Sequence, residues 1–394
     1  MIYLHVPFCG SFCTYCDFYS EICRSRQASN EYADAVIAEI RDRRKELEMN
    51  MSAQDAVNTL YIGGGTPSVL PLDVLSRIVG AVSQTERLSL VTEQLSLVTE
   101  PVEVTTPTEL FDEFTVEVNP EDIVEKGREY VRGLLALGVN RISMGIQSFN
   151  DDILRWMNRR HDAGNAVKAF HILRESGVRN ISIDLIFGIS QLTDETWKDT
   201  IEKALELSPE HISAYQLSIE EGSALAKMVA DGRYVEASDE QCRHQYDVLC
   251  QTLRQAGYHH YEISNFAKPG FEAVHNSAYW RRAPYIGLGP GAHSLTGNVR
   301  SWNSQELPHR SPDGSSATYS RTSETLSPED IRVERIMLSL RTDKGLKATE
   351  LYSLTDSTVV DALLSEGALE RQGASIRIPE DHLFTSDEII RELI

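Results

Sequence analysis

Six short apolar runs punctuate the first 217 residues, at Ile2–Val6, Thr59–Ile62, Phe114–Val118, Arg141–Ile146, Ile181–Phe187 and His211–Leu217. Several are rich in β-branched residues, and most lead into a polar or glycine-bearing turn and then a helical pattern. The stretch Ala166–Ser176 is one such helix: Val167, Phe170 and Leu173 share a face, and Gly177 supplies the C-cap. Strand–helix alternation of this kind builds a parallel sheet. Six units fall short of a full eight-stranded barrel. The predicted fold class is therefore α/β, a partial (β/α)6 TIM-like barrel. In barrel-type sheets the active groups sit at the C-terminal ends of the strands.

The residues that carry chemistry fall at those ends. Cys9, Cys13 and Cys16 follow the first run, and Gly63–Pro67 follows the second. Glu117 and Asn119 close the third, Gln147 closes the fourth, and Asp184 lies within the fifth. The cysteines are spaced C-x3-C-x2-C. A cubane iron–sulfur cluster takes four ligands, usually Cys thiolates. Three thiolates leave one iron free to bind a substrate. Zinc held by the three thiolates and His5 is the alternative, although no second CxxC or HxxxH pair follows. The spacing is too tight for ordinary disulfides. Gly63, Gly64 and Gly65 allow backbone groups to approach a ligand closely. The turn lacks the Lys-Ser/Thr of a phosphate loop and the spacing of a dinucleotide fingerprint. Acidic groups suit a ribose diol or a ligand ammonium, and Arg159 suits a carboxylate. A salt bridge or a plain surface position is the competing reading for each of Glu117, Gln147, Arg159 and Asp184.

The chain has 394 residues, 41% of them hydrophobic, enough for one large domain and a smaller one. Its net charge of −21 argues against nucleic acid and anionic membrane surfaces as partners. The N-terminal run is too short for a signal peptide, and no run of about 18 apolar residues could span a membrane. A cytoplasmic location is expected. Cys242 and Cys250 lie at helical spacing with Tyr246, Leu249 and Leu253, which predicts burial on a helix face. Cys23 reads as a plain thiol. The expected domains are a barrel over 1–225, an extension over 226–310, and a linker with a C-terminal domain over 311–394. Within the barrel, Leu88–Glu93 recurs as Leu95–Glu100, which reads as a duplicated insertion forming a loop over 86–110. Beyond Ser327 the order is a helix over Pro328–Leu340, two short helices, a hairpin around Leu369–Ile378 and a final helix from Ser386. That order predicts a winged-helix-like domain.

The cysteine loop, the Gly63–Pro67 turn, Glu117–Pro120, Ser143–Asn150 and Ile183–Gly188 together resemble the radical S-adenosylmethionine (SAM) superfamily. More narrowly they resemble the oxygen-independent coproporphyrinogen III oxidase family, from residue 3 to about 345. The resemblance implies that Cys9, Cys13 and Cys16 hold a [4Fe–4S] cluster. It implies SAM binding by Tyr3, Tyr15, Gly64, Gly65, Thr66, Glu117, Gln147, Arg159 and Asp184. One departure separates the subfamilies. The decarboxylating oxidases carry a fourth Cys two places after the third, where this chain has Phe18. His275–Trp280 (HNSAYW) resembles the H-N-x-x-Y-W motif of the HemW group, which is regarded as a group of heme chaperones. A neutral imidazole is a common axial ligand for heme iron. Tyr279 and Trp280 offer flat apolar faces to a porphyrin, and Arg281 and Arg282 could neutralise propionates. His275, Tyr279 and Trp280 are therefore the expected heme residues, with His293 a rival ligand and an ordinary packed turn the plainer reading. The implied function is heme binding and transfer to an acceptor protein, with an electron donor for the cluster. Oxidative decarboxylation of coproporphyrinogen III and a structural-metal binding module are the alternatives. No catalytic residue is assigned.

Overall fold

The computed structural model describes residues 1–51, 56–94, 111–306 and 318–394, with residues 85–94 described by backbone alone. All six expected strands form, as Ile2–Val6, Thr59–Gly64, Glu113–Val118, Arg141–Gln147, Ile181–Phe187 and His211–Gln216. Their residues are almost all buried, as both faces of a helix-covered parallel sheet require.

The chain divides into two interleaved units. The first comprises Met1–Ile181, Ile219–Lys227 and Pro284–Glu324; the second comprises Ser182–Ser218, Met228–Ala283 and Thr325–Ile394. In the first unit the first four strands pair in parallel and in sequence order, with Ile2 opposite Leu60, Leu60 opposite Phe114 and Val116 opposite Ile142. A strand that sequence reading missed, Ile286–Leu288, pairs in parallel on the free side of the first. Helices Arg26–Asp42, Pro120–Ala136 and Ala163–Glu175 connect the strands. The last is capped by the Asp162 side chain, which accepts from the Asn165 N–H. It buries Ala166, Ala169, Phe170 and Leu173, whereas Val167 is only half-buried. Gly177 ends it at φ +102°, a conformation open to glycine.

The helix Leu72–Gln94 corrects one expectation. The first copy of the repeated hexapeptide, Leu88–Glu93, is helical rather than part of a loop. No Gly or Pro occurs from Ala81 to Glu100, so nothing in the local sequence stops the helix there. The second copy lies outside the described residues.

In the second unit, His211–Gln216 pairs in parallel with Ile181–Phe187 and antiparallel with Asn265–Ala267, which in turn pairs antiparallel with His259–Glu262. Cys242 and Cys250 are buried on helix Asp239–Gln255, as expected. The C-terminal part follows the order read from sequence: helices Pro328–Leu340, Ala348–Leu354 and Ser357–Glu366, hairpin strands Glu370–Gln372 and Ser375–Arg377, and helix Ser386–Leu393. Leu346–Lys347 completes a three-stranded sheet. Ile336, Leu340, Leu351, Val360, Leu363, Ile376, Ile390 and Leu393 lie in one buried apolar cluster. Each such side chain contributes about 1.5–3 kcal/mol by burial.

Candidate functional site

The cysteine loop is docked, not free. Phe8–Cys9 forms a short parallel ladder with Glu21–Ile22. The loop between them is fastened to the segment after the fourth strand. The Thr14 amide donates to Met157 O (3.1 Å), the Thr14 hydroxyl to Trp156 O (2.9 Å), and Asn158 Nδ2 to Phe12 O (2.7 Å). Gly10 is needed because a Cβ there would stand 2.4 Å from the Arg160 guanidinium carbon. Arg160 is anchored in turn on Glu121 and Asp122, both at 2.8 Å.

All three thiols are half-exposed. Burial raises the pKa of Cys9, with the nearby Cys13 adding to it and Thr66 and Arg159 opposing it. Burial, reinforced by Cys13 and Cys9, pushes Cys16 up to about 11. Cys9 and Cys16 thus both lie close enough to Cys13 for its charge to raise their pKa. The hydroxyl of Thr66 donates to Cys9 Sγ at 3.5 Å, and Arg159 Nη1 donates to Cys13 Sγ at 3.4 Å. His5 is not available as a fourth zinc ligand. Its Nδ1 meets the Tyr3 hydroxyl (3.1 Å) and its Nε2 the carbonyl of Tyr19 (2.9 Å).

The glycine turn lies against this loop. The amides of Gly65 and Thr66 donate to Val6 O and Phe8 O, both at 2.7 Å. A Cβ at Gly65 would sit 2.7 Å from Phe8 O and 3.1 Å from Cys9 Sγ. Gly64 has φ +108°, and its amide donates to Glu117 Oε2 at 3.0 Å. The Tyr61 hydroxyl donates to the other oxygen of Glu117 at 2.7 Å. Glu117 is thus held by two donors at the end of the third strand.

Arg159 joins the third and fourth strand ends to the loop. Its Nη2 donates to Asn119 Oδ1 and Gly145 O, both at 2.7 Å. Its Nε is buried without a partner among the described residues. Burial works against its charge, but Tyr15, Cys13 and Glu121 outweigh that and hold its pKa above the ordinary value. Burial also raises Tyr15, which faces Cys13 and Cys16. Gln147 adopts φ +69° within a three-residue turn in which the Ser148 amide donates to Ile146 O at 2.9 Å. Such a conformation is strained by about 1–3 kcal/mol and concentrates at functional sites. A Cβ at Gly145 would meet Gln147 Nε2, Arg159 Nη2 and Asn119 Oδ1, all within 3.3 Å, so glycine keeps these polar groups together.

The structure therefore brings together Tyr3, Cys9, Cys13, Tyr15, Cys16, Gly64, Gly65, Thr66, Glu117, Gln147 and Arg159 in the first unit. Asp184 lies in the second unit, where its charge, after desolvation, helps to raise the pKa of the Tyr215 hydroxyl on a side chain that is part-exposed. Asn119, placed by sequence at the end of the third strand but given no ligand, bridges Thr66 and Arg159. Sequence reading passed over His161, whose ring joins Ile146 O (3.1 Å) to Glu121 (3.2 Å). The nearest signal for it was adjacency to residues already chosen.

These residues fit a [4Fe–4S] cluster with a bound nucleoside. Three sulfurs converge, a buried guanidinium nitrogen lacks a partner, and glycines leave room for backbone contacts. Phe18 is 65% exposed, so no fourth protein sulfur stands at that position.

The heme candidates differ from one another. His275 is buried, and its Nε2 meets the Tyr279 hydroxyl at 3.2 Å, with the two rings edge to face. Trp280 Nε1 is buried without a partner among the described residues. Arg282 Nε donates to Glu334 Oε2 at 2.7 Å and is not free for a propionate. His293 is exposed and stacked on Trp302 at 5.7 Å. Burial and then Arg300 lower its pKa, which favours neutral imidazole.

Residues 3–204 match the family model of the radical SAM superfamily. The heme chaperone HemW of Bacillus subtilis (strain 168) is 33% identical over 346 residues, covering 87% of this chain and 84% of its own. HemW of Mycobacterium tuberculosis (strain ATCC 25618 / H37Rv) is 30% identical over 402 residues, covering 100% of this chain and 94% of its own. Among solved structures, coproporphyrinogen III oxidase (HemN) from Escherichia coli, a radical SAM enzyme, matches with a TM-score of 0.74 at 21% identity. That match covers 99% of this chain and 89% of the other. At that identity the likeness shows the fold: an α/β, TIM-like radical SAM barrel with a C-terminal domain. The chain belongs to the radical SAM superfamily and, within it, to the HemN-like, HemW-type family.

Proposed function

We propose that this protein is a heme chaperone: it binds heme and passes it to an acceptor protein, with a [4Fe–4S] cluster and SAM at the ends of its first four strands. One observation carries the reading. Three half-exposed cysteines in one docked loop are followed by exposed Phe18 rather than a fourth cysteine, in a chain whose relatives are heme chaperones.

Cys9, Cys13 and Cys16 would each hold one iron, leaving the fourth for the amino and carboxylate groups of SAM. When bound and reduced, the cluster would supply one-electron chemistry for cleavage of SAM's sulfonium C–S bond. The chain's own part is binding and orientation. Glu117, held by Tyr61 and Gly64, presents a fixed carboxylate suited to ribose hydroxyls. Arg159 offers its unpartnered Nε to a carboxylate. Gly64 and Gly65 give close backbone approach, and Tyr3, Tyr15, Thr66 and Gln147 frame the same strand ends. Asp184 keeps the SAM role implied by the family resemblance. His275, Tyr279 and Trp280 are assigned to heme, and ligation through Nε2 requires His275 to give up Tyr279. We assign the barrel to 1–225, its extension to 226–310 and the C-terminal domain to 311–394. We place the protein in the cytoplasm with an electron donor; no described helix is long and apolar enough to cross a membrane.

The test is anaerobic. Cluster-reconstituted protein titrated with heme should show a Soret shift that His275→Ala abolishes and His293→Ala leaves. No shift in the parent protein would overturn the reading. So would conversion of coproporphyrinogen III to protoporphyrinogen in the presence of SAM and dithionite.

A further inference from the structure

Far along the chain from the cysteine loop, a second set of ligand-type side chains converges within the second unit. Cys250 lies in the last turns of helix Asp239–Gln255, and His260 lies on strand His259–Glu262 beyond the turn at Gly257. Glu380 opens the short 3-10 helix Glu380–Thr385. One ligand atom from each lies within 4.8 Å of the others. Cys250 Sγ is 4.0 Å from His260 Nδ1, and His260 Nδ1 is 3.2 Å from Glu380 Oε1. Tetrahedral zinc, with Zn–S near 2.3 Å and Zn–N or Zn–O near 2.0–2.1 Å, sets these separations at about 3.6 and 3.4 Å. The side chains are within a few tenths of an ångström of that geometry.

We propose that Cys250, His260 and Glu380 form a binding site for a divalent transition metal of the zinc type. The arrangement of the imidazole argues for it. His260 Nε2 faces the carbonyl of Ile263 at 3.3 Å, and a carbonyl only accepts. With a metal on Nδ1, which faces Cys250 and Glu380, the ring proton would sit on Nε2 and donate to that carbonyl. Backbone carbonyls hold metal-ligating histidines in just this way. The Tyr246 hydroxyl lies 3.4 Å from the same Nε2 and donates to Ile263 O at 2.9 Å. The ring is held flat against Phe266, at 4.1 Å between centroids and 15° between planes. Without metal, Nδ1 lies within hydrogen-bond reach of Glu380, and a metal would take the place of a proton there. A cation at Nδ1 satisfies the lone pair, the carboxylate and the thiolate together, and a dication balances the two negative charges.

Without metal, Glu380 is served by Arg254, whose Nη2 lies 2.6 Å from Oε1. Arg254 is 59% exposed and can leave for solvent at little cost. His260 and Glu380 line a cleft with His259, Asp343 and Arg377, and the buried Cys250 lies behind it. Three protein ligands with a fourth position open to such a cleft is the pattern of zinc sites that bind water or a further ligand. The mixture of one soft sulfur, one imidazole and one carboxylate suits zinc rather than calcium or magnesium. The ligands come from three elements, so the ion would tie the Glu380 turn to the sheet-bearing part of the same unit.

Zinc content and iron content measured on the same full-length, cluster-reconstituted sample test the proposal separately from the cluster reading. After dialysis against zinc and then buffer, about one zinc per chain should remain. Zinc K-edge absorption should show one sulfur neighbour, with the rest nitrogen or oxygen. Cys250→Ser should remove the sulfur contribution, and His260→Gln and Glu380→Gln should each lower retained zinc at least tenfold with iron unchanged. Glu380 is part-exposed, so its variant guards against misfolding of the buried ones. Cys242→Ser should retain zinc. No retained zinc, three sulfur neighbours, or zinc equally held by the Cys250 and Glu380 variants would each overturn the site.

Discussion

A carboxyl group buried with an incomplete set of donors is poorly tolerated as an anion, and Glu262 is in that position. Asn265 Nδ2 donates to its Oε1, while Oε2 has no partner among the described residues. Burial raises its pKa from 4.5 to about 7 despite that bond. The folded state therefore binds this proton more tightly than the unfolded state. The stabilisation is fully present below pH 4.5 and is lost as pH rises through about 7. At pH 8 the loss corresponds to about 3 kcal/mol. Glu262→Gln should raise the melting temperature at pH 8 and flatten its fall between pH 5 and 8. An unchanged slope in the variant would assign that pH dependence to other groups. At the same scale, Cys16→Ala should abolish the visible iron–sulfur absorbance of the reconstituted protein and Cys242→Ala should not; equal loss from both would mean the ligands were misassigned. Residue type and spacing made the three proposed cluster cysteines stand out in the sequence, and the structure holds them in one loop. Glu380 was not legible, because it lies 120 residues from His260 and only tertiary packing makes them neighbours. The strain at Gln147 was equally hidden, since glutamine carries no preference for positive φ.

Among the elements, the helix Pro328–Leu340 shows how local chemistry sets a boundary. Ser327 Oγ accepts from the Asp330 amide at 3.1 Å, and Asp330 Oδ2 accepts from the Ser327 amide at 2.9 Å. This reciprocal cap satisfies two otherwise orphaned donors. Ser327→Ala should cost about 1 kcal/mol. In a fragment spanning residues 325–394, which contains its own apolar cluster, that cost lowers the melting temperature by about 4–8 °C. Circular dichroism on heating checks both points: a fragment with no cooperative transition would show that the cluster is insufficient alone. Element order here was readable because caps, apolar period and turn glycines agree. The six strands were readable for a similar reason: each is a short, β-branched, buried run with punctuation at its ends. The strand Ile286–Leu288 was not. It is three residues long, two of them apolar and one glycine, and its identity comes only from pairing with the first strand. The helix through Gln94 was misread because a sequence repeat looks like an insertion whatever backbone it adopts.

For the whole molecule, the two units interleave, and each is assembled from three separate stretches of chain. A chain ending at Ala283 should therefore lose more than its missing residues. It lacks the strand that covers one side of Ile2–Val6, and an uncovered parallel edge invites aggregation. Light scattering should show that truncation associating at concentrations where the full chain does not. The pairing of Ile2 with Ile286 also has a consequence for biogenesis. The ribosome delivers the first strand and its attached thiols early, yet the neighbour that seals it emerges nearly three hundred positions later. Throughout that delay the ligand-bearing loop hangs from a half-finished platform. The sheet beneath the cysteine loop is thus closed on that side only once Ile286–Leu288 has emerged.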